Sequence, residues 1–256
     1  MELVAHHCVN PENFITLGHM PGWYEIEEDR PLWDRLSEIA RLSACLEHQL
    51  SENQLVQKTG FFPYDYKEMK RTVMAARSIL PRRANVFELG CGIGAFTSMS
   101  ACAGFCSYGV DCNPFLIECA REQENTFVQQ SLLDCSVPCA FAVGNIHQGI
   151  HYTRYRTMSE ELRTCGASNR GNLPLENCAN PYDSLGISLD EADLIYAYLW
   201  PEHMPFFCEF LRETTRMDAT YVLPLYNWRA HRSILPLSVV GGTAHTPLYR
   251  RMTPSD

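Results

Sequence analysis

The stretch VFELGCGIGA, residues 86–95, decides the fold of this chain. It is an apolar run that contains one acidic residue, Glu88, and continues into three glycines at alternate positions, Gly90, Gly92 and Gly94. This pattern is typical of a buried strand that ends in a tight turn before a helix, because glycine permits sharp turns and lets a ligand lie against the backbone. The helix after such a turn directs its first amide groups and its positive dipole end at that ligand. The stretch therefore indicates a nucleotide-like cofactor.

Outward from this glycine turn, strand patterns alternate with helical patterns. The predicted strands are 85–89, 107–111, 140–143, 193–199, 219–225 and 246–251, and the predicted helices are 31–50, 66–80, 95–103, 114–129 and 203–215. Such alternation predicts an α/β fold with a doubly wound, mostly parallel sheet and helices on both faces. In that architecture the ligand lies at the carboxyl ends of the strands, near the switch in strand order.

Composition limits the class of protein. The chain has 256 residues, is 46% hydrophobic and 20% charged, and contains no apolar run of the roughly 18–20 residues that span a bilayer. The amino-terminal residues show no secretory signal pattern, and the 12 cysteines form no CxxC pair. We therefore expect reduced thiols, a cytoplasmic location, no bound metal and no membrane association.

The formal net charge of −9 argues against nucleic acid as a partner, because phosphates require lysine and arginine. A basic cluster within 67–83 is interpreted as a solvated helix face. The sequence is compatible with an oligomer as well as with a monomer.

Two ligand classes compete for the glycine turn. The string GCGIGA also fits the dinucleotide fingerprint G-x-G-x-x-A. However, a carboxylate at Glu88 would repel a pyrophosphate and suits a cationic amino group. A long segment, 1–85, precedes the turn, whereas a dinucleotide domain usually opens with it. Asp111, at the end of the second strand, can accept both hydroxyls of a ribose, which fits either ligand.

Three segments together, ELGCGIGAF at 88–96, GVDCNPFLIECARE at 109–122 and DLIYAYLWPE at 193–202, resemble class I S-adenosylmethionine-dependent methyltransferases. The resemblance covers about residues 60–252. It implies a Rossmann-like, seven-stranded sheet closed by a C-terminal antiparallel hairpin of TYVLPLYNW and TPLYRRM, and it implies S-adenosylmethionine as cofactor. The dipeptide PE at 201–202 and Leu-Pro-x-x-x-Trp at 223–228 resemble a lysine-methylating branch with small archaeal and mitochondrial relatives.

The resemblance also assigns cofactor-binding residues. It implies that Glu88 and the three glycines bind the methionine part and that Asp111 binds the ribose. Residues after the second and third strands would contact the adenine. The complete set is Glu88, Gly90, Gly92, Gly94, Asp111, Cys112, Asn113, Asn145 and Ile146, with Tyr64 in a segment folded over the cofactor. Asn145 stands where the family often has an aspartate, and its amide oxygen can still accept a hydrogen bond from the adenine amine.

Catalytic candidates follow the fourth strand, where the family's fourth motif faces the transferred methyl. They are Tyr198, Trp200, Glu202 and His203. An aromatic ring there can hold a cationic substrate, a carboxylate can grip an amine, and a histidine can act as general base. Each of them can instead be an ordinary packing or helix-start residue.

The expected organisation is a helical extension at 1–60 and a methyltransferase domain at 61–256. The segment 147–192 is longer than an α/β connection requires, and is interpreted either as a neutral insertion or as a lid. The expected function is methyl transfer to an amine or hydroxyl of a protein, a peptide or a small metabolite. A non-catalytic, S-adenosylmethionine-binding regulatory subunit and an NAD-dependent oxidoreductase remain as alternatives.

Overall fold

The structure, a computed structural model, describes residues 29–52, 65–147, 151, 153, 157, 180–197, 204–224, 231, 233–242 and 246–252. Its helices are α1 (Arg30–Glu52), α2 (Tyr66–Ile79), α3 (Ala95–Cys102), α4 (Pro114–Gln129), α5 (Pro181–Leu185) and α6 (Met204–Thr214), with a 3₁₀ turn at Leu189–Glu191. Its strands are β1 (Asn85–Leu89), β2 (Cys106–Asp111), β3 (Cys139–Val143), β4 (Leu194–Ala197), β5 (Thr220–Val222), β6 (Leu237–Gly242) and β7 (Pro247–Arg251).

The seven strands form one sheet in the order β3-β2-β1-β4-β5-β7-β6. The first five strands along the chain are parallel, and β7 is antiparallel to both β5 and β6. Because β1 pairs with β2 on one side and β4 on the other, the strand order switches at β1. This topology confirms the predicted Rossmann-like sheet with a C-terminal antiparallel hairpin, and it places the switch point at the end of the strand that carries Glu88.

The hairpin differs in one respect from the expectation. The expected antiparallel pairing of TYVLPLYNW with TPLYRRM is present as β5 with β7, but β7 has a second antiparallel partner in β6, a segment that the sequence pattern predicts to be a connection. Strand β6 escapes recognition because it lies at the sheet edge, is mostly half-exposed, ends in two glycines and contains a register shift between Val239 and Gly241.

Two apolar layers cover the sheet. On one face, α1 to α4 enclose a core built around Leu36, Ile39, Val73, Phe96 and Met99. On the other face, α5 and α6 pack on side chains of β1, β4 and β5, including Phe87, Ile195 and Tyr221. Since side chains alternate along a strand, Val86 and Glu88 project toward the α1–α4 layer, while Phe87 and Leu89 project toward α6.

Helix α1, which falls within the predicted extension, shares the first of these cores. Leu32, Leu36 and Ile39 belong to the same buried cluster as Val86 of β1 and Phe96 of α3. At its other end, Leu50 clusters with Ile93 of the glycine turn. In the part of the chain that the structure describes, no helix combines the length and the apolar character needed to cross a membrane.

Candidate cofactor site

The glycine turn adopts a backbone that only glycine accommodates without strain. Gly90, Gly92 and Gly94 have φ values of 79°, 53° and 74°. The amides of Gly90 and Cys91 both donate to the carbonyl of Val110, at 2.8 and 3.0 Å. The turn is therefore fastened to the carboxyl end of β2 and is a fixed element rather than a loose loop.

The ring of Phe141 on β3 closes the space beneath this turn. A Cβ atom at Gly94 would lie 2.3 Å from Cε1 of Phe141, and one at Gly109 would lie 2.7 Å from its Cδ1. Both distances are shorter than any real contact of a Cβ atom. Two glycines, one in the turn and one in β2, thus let the backbone close around a single aromatic ring.

Glu88 caps helix α3 from the neighbouring strand. The helix begins after Gly94, which has no side chain to cap it. In its place, Oε2 of Glu88 accepts bonds from the amide of Thr97 at 2.8 Å and from its hydroxyl at 2.6 Å. Thr97 is the third residue of α3, so this bond satisfies an amide that otherwise has no helical partner.

Glu88 is buried, with only 4% of the residue exposed. Burial raises its pKa to about 8; the two Thr97 bonds oppose this rise and the neighbouring carboxylate of Asp111 adds to it. The strand that enters the glycine turn therefore carries an acid whose proton is held well above the ordinary range of a glutamate.

Asp111 ties β2 to the turn. Its Oδ2 accepts the amide of Gly92 at 2.9 Å, and its Oδ1 accepts the amide of Asn113 at 2.8 Å. Burial raises the pKa of Asp111 above its ordinary value, while bonds from Asn113, Gly92 and Cys112 oppose that rise. Each carboxylate oxygen has a further lone pair and can accept a second bond, as a ribose hydroxyl would require.

The two carboxylates lie on the same face of the sheet and have only neutral partners. In the described ranges, no lysine, arginine or histidine forms an ion pair with Glu88 or Asp111. A cationic group bound beside these buried acids would favour their ionised forms, whereas a further negative charge would favour their protonated forms. This pair of acceptor groups suits a ligand that brings its own positive charge and disfavours a pyrophosphate.

The residues after β2 have structural partners of their own. Oδ1 of Asn113 accepts the amides of Phe115 at 3.0 Å and Leu116 at 3.4 Å, so this side chain caps α4. Cys112 is half-buried and its thiol bonds to Asp111. Both residues stand at the carboxyl end of β2, where adenine contacts were predicted.

The end of β3 lies beside them, since the amide of Gly144 donates to the carbonyl of Asp111 at 2.9 Å. Oδ1 of Asn145, the oxygen predicted to accept the adenine amine, accepts the amide of His147 at 3.0 Å. The carbonyl of Ile146 accepts the hydroxyl of Tyr182 at 2.9 Å. The structure thus brings the predicted residues of β1, β2 and β3 together at the carboxyl ends of these strands. Their contacts with a ligand stay predictions.

The remaining candidates lie outside the described residues. These are Tyr64 and the four catalytic candidates Tyr198, Trp200, Glu202 and His203. The described part of β4 ends with Ala197 paired to Leu89, which places its carboxyl end beside the glycine turn. Their predicted roles therefore stay predictions.

Several residues of this edge were not found from the sequence. Thr97 gives no signal, because a helix is normally capped from its own preceding residue and not from a strand. Leu50 of α1 clusters with Ile93, Leu116 and Cys119, which makes the end of α1 a wall of the turn. The helical stripe of α1 predicts burial but does not identify its partner.

No family model matches the chain, and no curated protein matches it. Among solved structures, a TehB-like SAM-dependent methyltransferase from Corynebacterium glutamicum matches at 13% identity, over 82% of this chain and 100% of that chain, with a TM-score of 0.43. An RNA methyltransferase from Salinibacter ruber, solved with S-adenosyl-L-homocysteine, matches at 14% identity, over 76% and 98% of the two chains, with a TM-score of 0.45.

A tRNA (uracil-54, C5)-methyltransferase from Pyrococcus abyssi, also solved with S-adenosyl-L-homocysteine, matches at 14% identity, over 75% and 40% of the two chains, with a TM-score of 0.41.

Membership of the lysine-methylating branch stays a prediction. The strand order, the switch point at β1 and the glycine turn between β1 and α3 are those of the class I S-adenosylmethionine-dependent methyltransferase fold, and this chain has that fold.

Proposed function

We propose that this chain binds S-adenosylmethionine at the glycine turn and transfers its methyl group to an amine or hydroxyl acceptor. The observation that carries the proposal is the pair of buried carboxylates, Glu88 and Asp111, which flank the turn with neutral partners only. S-adenosylmethionine brings a cationic amino group and a ribose, the two groups that such carboxylates recognise.

The same observation disfavours the dinucleotide alternative. A pyrophosphate at this turn would place further negative charge beside two carboxylates in a poorly solvated site, where like charges repel strongly. Neutralising the acids by protonation would remove that repulsion but would also leave a ribose without its charged acceptor. The oxidoreductase hypothesis is therefore the weaker one.

When bound, S-adenosylmethionine supplies an activated methyl group on a sulfonium. The residues of this chain then have three tasks. The glycine turn lets the ligand approach the backbone, Glu88 balances a positive charge, and Asp111 orients a sugar. Rate acceleration in such a site comes mainly from aligning the acceptor with the methyl group.

For the methyl acceptor we propose only a chemical class, an amine or a hydroxyl group. Tyr198, Trp200, Glu202 and His203 follow β4 and are the residues that we propose face the acceptor. A protein or peptide amine and a small metabolite both fit a set of aromatic, acidic and basic side chains. Nucleic acid fits less well, because the chain has a net charge of −9. A cytoplasmic location, expected from the cysteine usage, belongs to the same proposal.

Calorimetric titration of the full chain with S-adenosylmethionine, S-adenosylhomocysteine and NAD tests the cofactor. We expect binding of the first two and none of NAD; failure of both sulfur ligands to bind would overturn the proposal. Incubation of a native lysate with methyl-labelled cofactor, followed by separation into macromolecules and small molecules, then locates the acceptor. Binding without any transfer of label would favour the regulatory subunit.

A further inference from the structure

The bond pattern around Glu88 suggests a role for a residue on the next helix. Within the described ranges, the hydrogen bonds that this carboxylate accepts come from Thr97 and both end on Oε2. Thr97 is fully buried, at 0% exposure, in the first turn of α3. The carboxylate is therefore held by one residue of a rigid helix and not by mobile surface groups.

We propose that Thr97 is a positioning residue for binding of the methyl donor, which fixes Oε2 of Glu88, so that the carboxyl group is oriented for a cationic amino group and its ionised form is favoured. The inference rests on the proposed function, and it names a residue outside the glycine motif and outside the candidates that follow β4.

Geometry explains why Thr97 suits this task. The residue offers two donors, its amide and its hydroxyl, to one carboxylate oxygen. The amide would be present with any residue, but the hydroxyl is specific to threonine and serine. Gly94, at the cap position of the same helix, contributes no side chain, so Glu88 and Thr97 together close the start of α3.

Electrostatics gives the hydroxyl a measurable effect. Burial favours the protonated form of Glu88, and the two Thr97 bonds favour the ionised form. The other titratable groups that face Glu88 in the described residues are Asp111 of β2, Cys91 of the turn, Tyr66 of α2 and Cys139 of β3. All four are acids, so none of them takes over from Thr97 in stabilising the negative charge.

Loss of the hydroxyl should therefore make Glu88 harder to ionise. Loss of a hydrogen bond to a charged group should lower ligand affinity roughly tenfold or more when the ligand needs the ionised form. Thr97→Val keeps the side-chain volume and the backbone amide, so the packing of α3 should change little.

The test compares Thr97→Val, Thr97→Ala and Thr97→Ser in the full chain. The carboxyl titration of Glu88 is followed by carbon-13 NMR in the ligand-free protein, with the signal identified by its loss in Glu88→Gln. The Val and Ala variants should move the midpoint to higher pH, and Ser should restore it. Affinity for S-adenosylhomocysteine, measured from about pH 6 to about pH 9, should fall roughly tenfold at neutral pH for Val and Ala and recover with Ser.

A purely structural cap gives a different result. In that case the melting temperature would fall with the side-chain volume removed, most in Ala and least in Val, and the Glu88 midpoint would stay where it is in the parent chain. An unchanged midpoint in Val and Ala overturns the inference. If the parent chain binds neither sulfur ligand, the proposed function fails, while the Glu88 titration still decides whether Thr97 controls this acid.

Discussion

The carboxylate of Asp111 accepts the amide of Gly92 at 2.9 Å, across 19 residues of sequence. The same carboxylate accepts the amide of Asn113 at 2.8 Å. One side chain therefore joins the end of β2 to the middle of the glycine turn and also shapes the start of α4. The residue that is predicted to bind a ribose therefore also stabilises the backbone of the site.

Replacing Asp111 by alanine should weaken the site in two ways. Two amides lose their acceptor, which costs about 1–3 kcal/mol of folding free energy when such groups are buried. Affinity for S-adenosylmethionine and S-adenosylhomocysteine should fall at least roughly tenfold, because the ribose loses a charged acceptor. Urea unfolding and calorimetry measure the two effects.

Asp134 offers a matched control for this variant. Its Oδ1 accepts the amide of Ser136 at 2.8 Å in the same local geometry, but in an exposed turn. Asp134→Ala should leave ligand affinity unchanged. Equal ligand affinity of Asp111→Ala and the parent chain would refute the ribose role.

Glu88→Gln should separate stability from binding. The amide oxygen of glutamine can accept both Thr97 bonds, so the cap is kept while the charge is removed. We expect the ligand-free variant to be more stable than the parent chain above about pH 8 and to bind S-adenosylhomocysteine more weakly. A variant that is less stable at high pH, with unchanged affinity, would contradict the charge role of Glu88.

The pH dependence of stability follows from the raised pKa of Glu88, about 8 in the folded chain against an ordinary value of 4.5. Between these two values the folded chain binds a proton that the unfolded chain has lost. This contribution to the free energy of unfolding is complete below about pH 4.5 and is lost as the pH rises toward 8. The steepest loss is about 1.4 kcal/mol per pH unit, and it should be absent in Glu88→Gln.

Gly94→Ala should be far more damaging than an alanine at another glycine of similar backbone. Its φ of 74° is unfavourable for any side chain, and the new Cβ would lie 2.3 Å from Cε1 of Phe141. Gly186 has a φ of 69°, and a Cβ added there would meet nothing within 4 Å. Gly186→Ala therefore measures only the cost of placing a side chain on a left-handed backbone, which is about 1–2 kcal/mol.

Thermal unfolding of the two alanine variants measures the difference. Gly186→Ala should fold with a modest loss of stability, and Gly94→Ala should lose several times as much together with ligand binding. Combining Gly94→Ala with Phe141→Leu should restore part of the stability, because the clash with the aromatic ring is removed while the backbone strain and the 3.1 Å contact with Cβ of Ala120 remain. Similar losses for both single variants would show that the Phe141 ring yields to the new side chain.

Leu50→Ala tests whether the end of α1 supports the cofactor site. Leu50 clusters with Ile93 inside the turn, so its truncation should reduce ligand affinity and lower stability by about 2 kcal/mol or more. Leu36→Ala removes the same atoms from the other end of α1, where the side chain is 0% exposed in the main core. It should cost at least as much stability, with ligand affinity of the folded protein unchanged.

Ligand titrations at a temperature where both leucine variants are folded check this pair. If both variants change affinity equally, the effect of Leu50 is general destabilisation. If neither changes it, the wall formed by Leu50 and Ile93 has no part in binding.

By itself, the sequence determined the α/β class, the position of the glycine turn and the bounds of β1 and α4, because these depend on local periodicity and on glycine conformations written into adjacent residues. It also determined that acids stand before and after the turn. Strand β6 stayed hidden, since an exposed edge strand with two glycines has little apolar pattern.

Only the tertiary structure decided what those acids do. The hydroxyl of Thr97 donates a hydrogen bond to one oxygen of Glu88, and the amide of Gly92 donates to one oxygen of Asp111. The ring of Phe141 fills the space beneath Gly94. Each of these pairs joins residues on different elements, and the register of β1, β2 and β3 brings them together. Register is specified by which face of each strand is buried against the helices, so it is decided only when the whole sheet assembles.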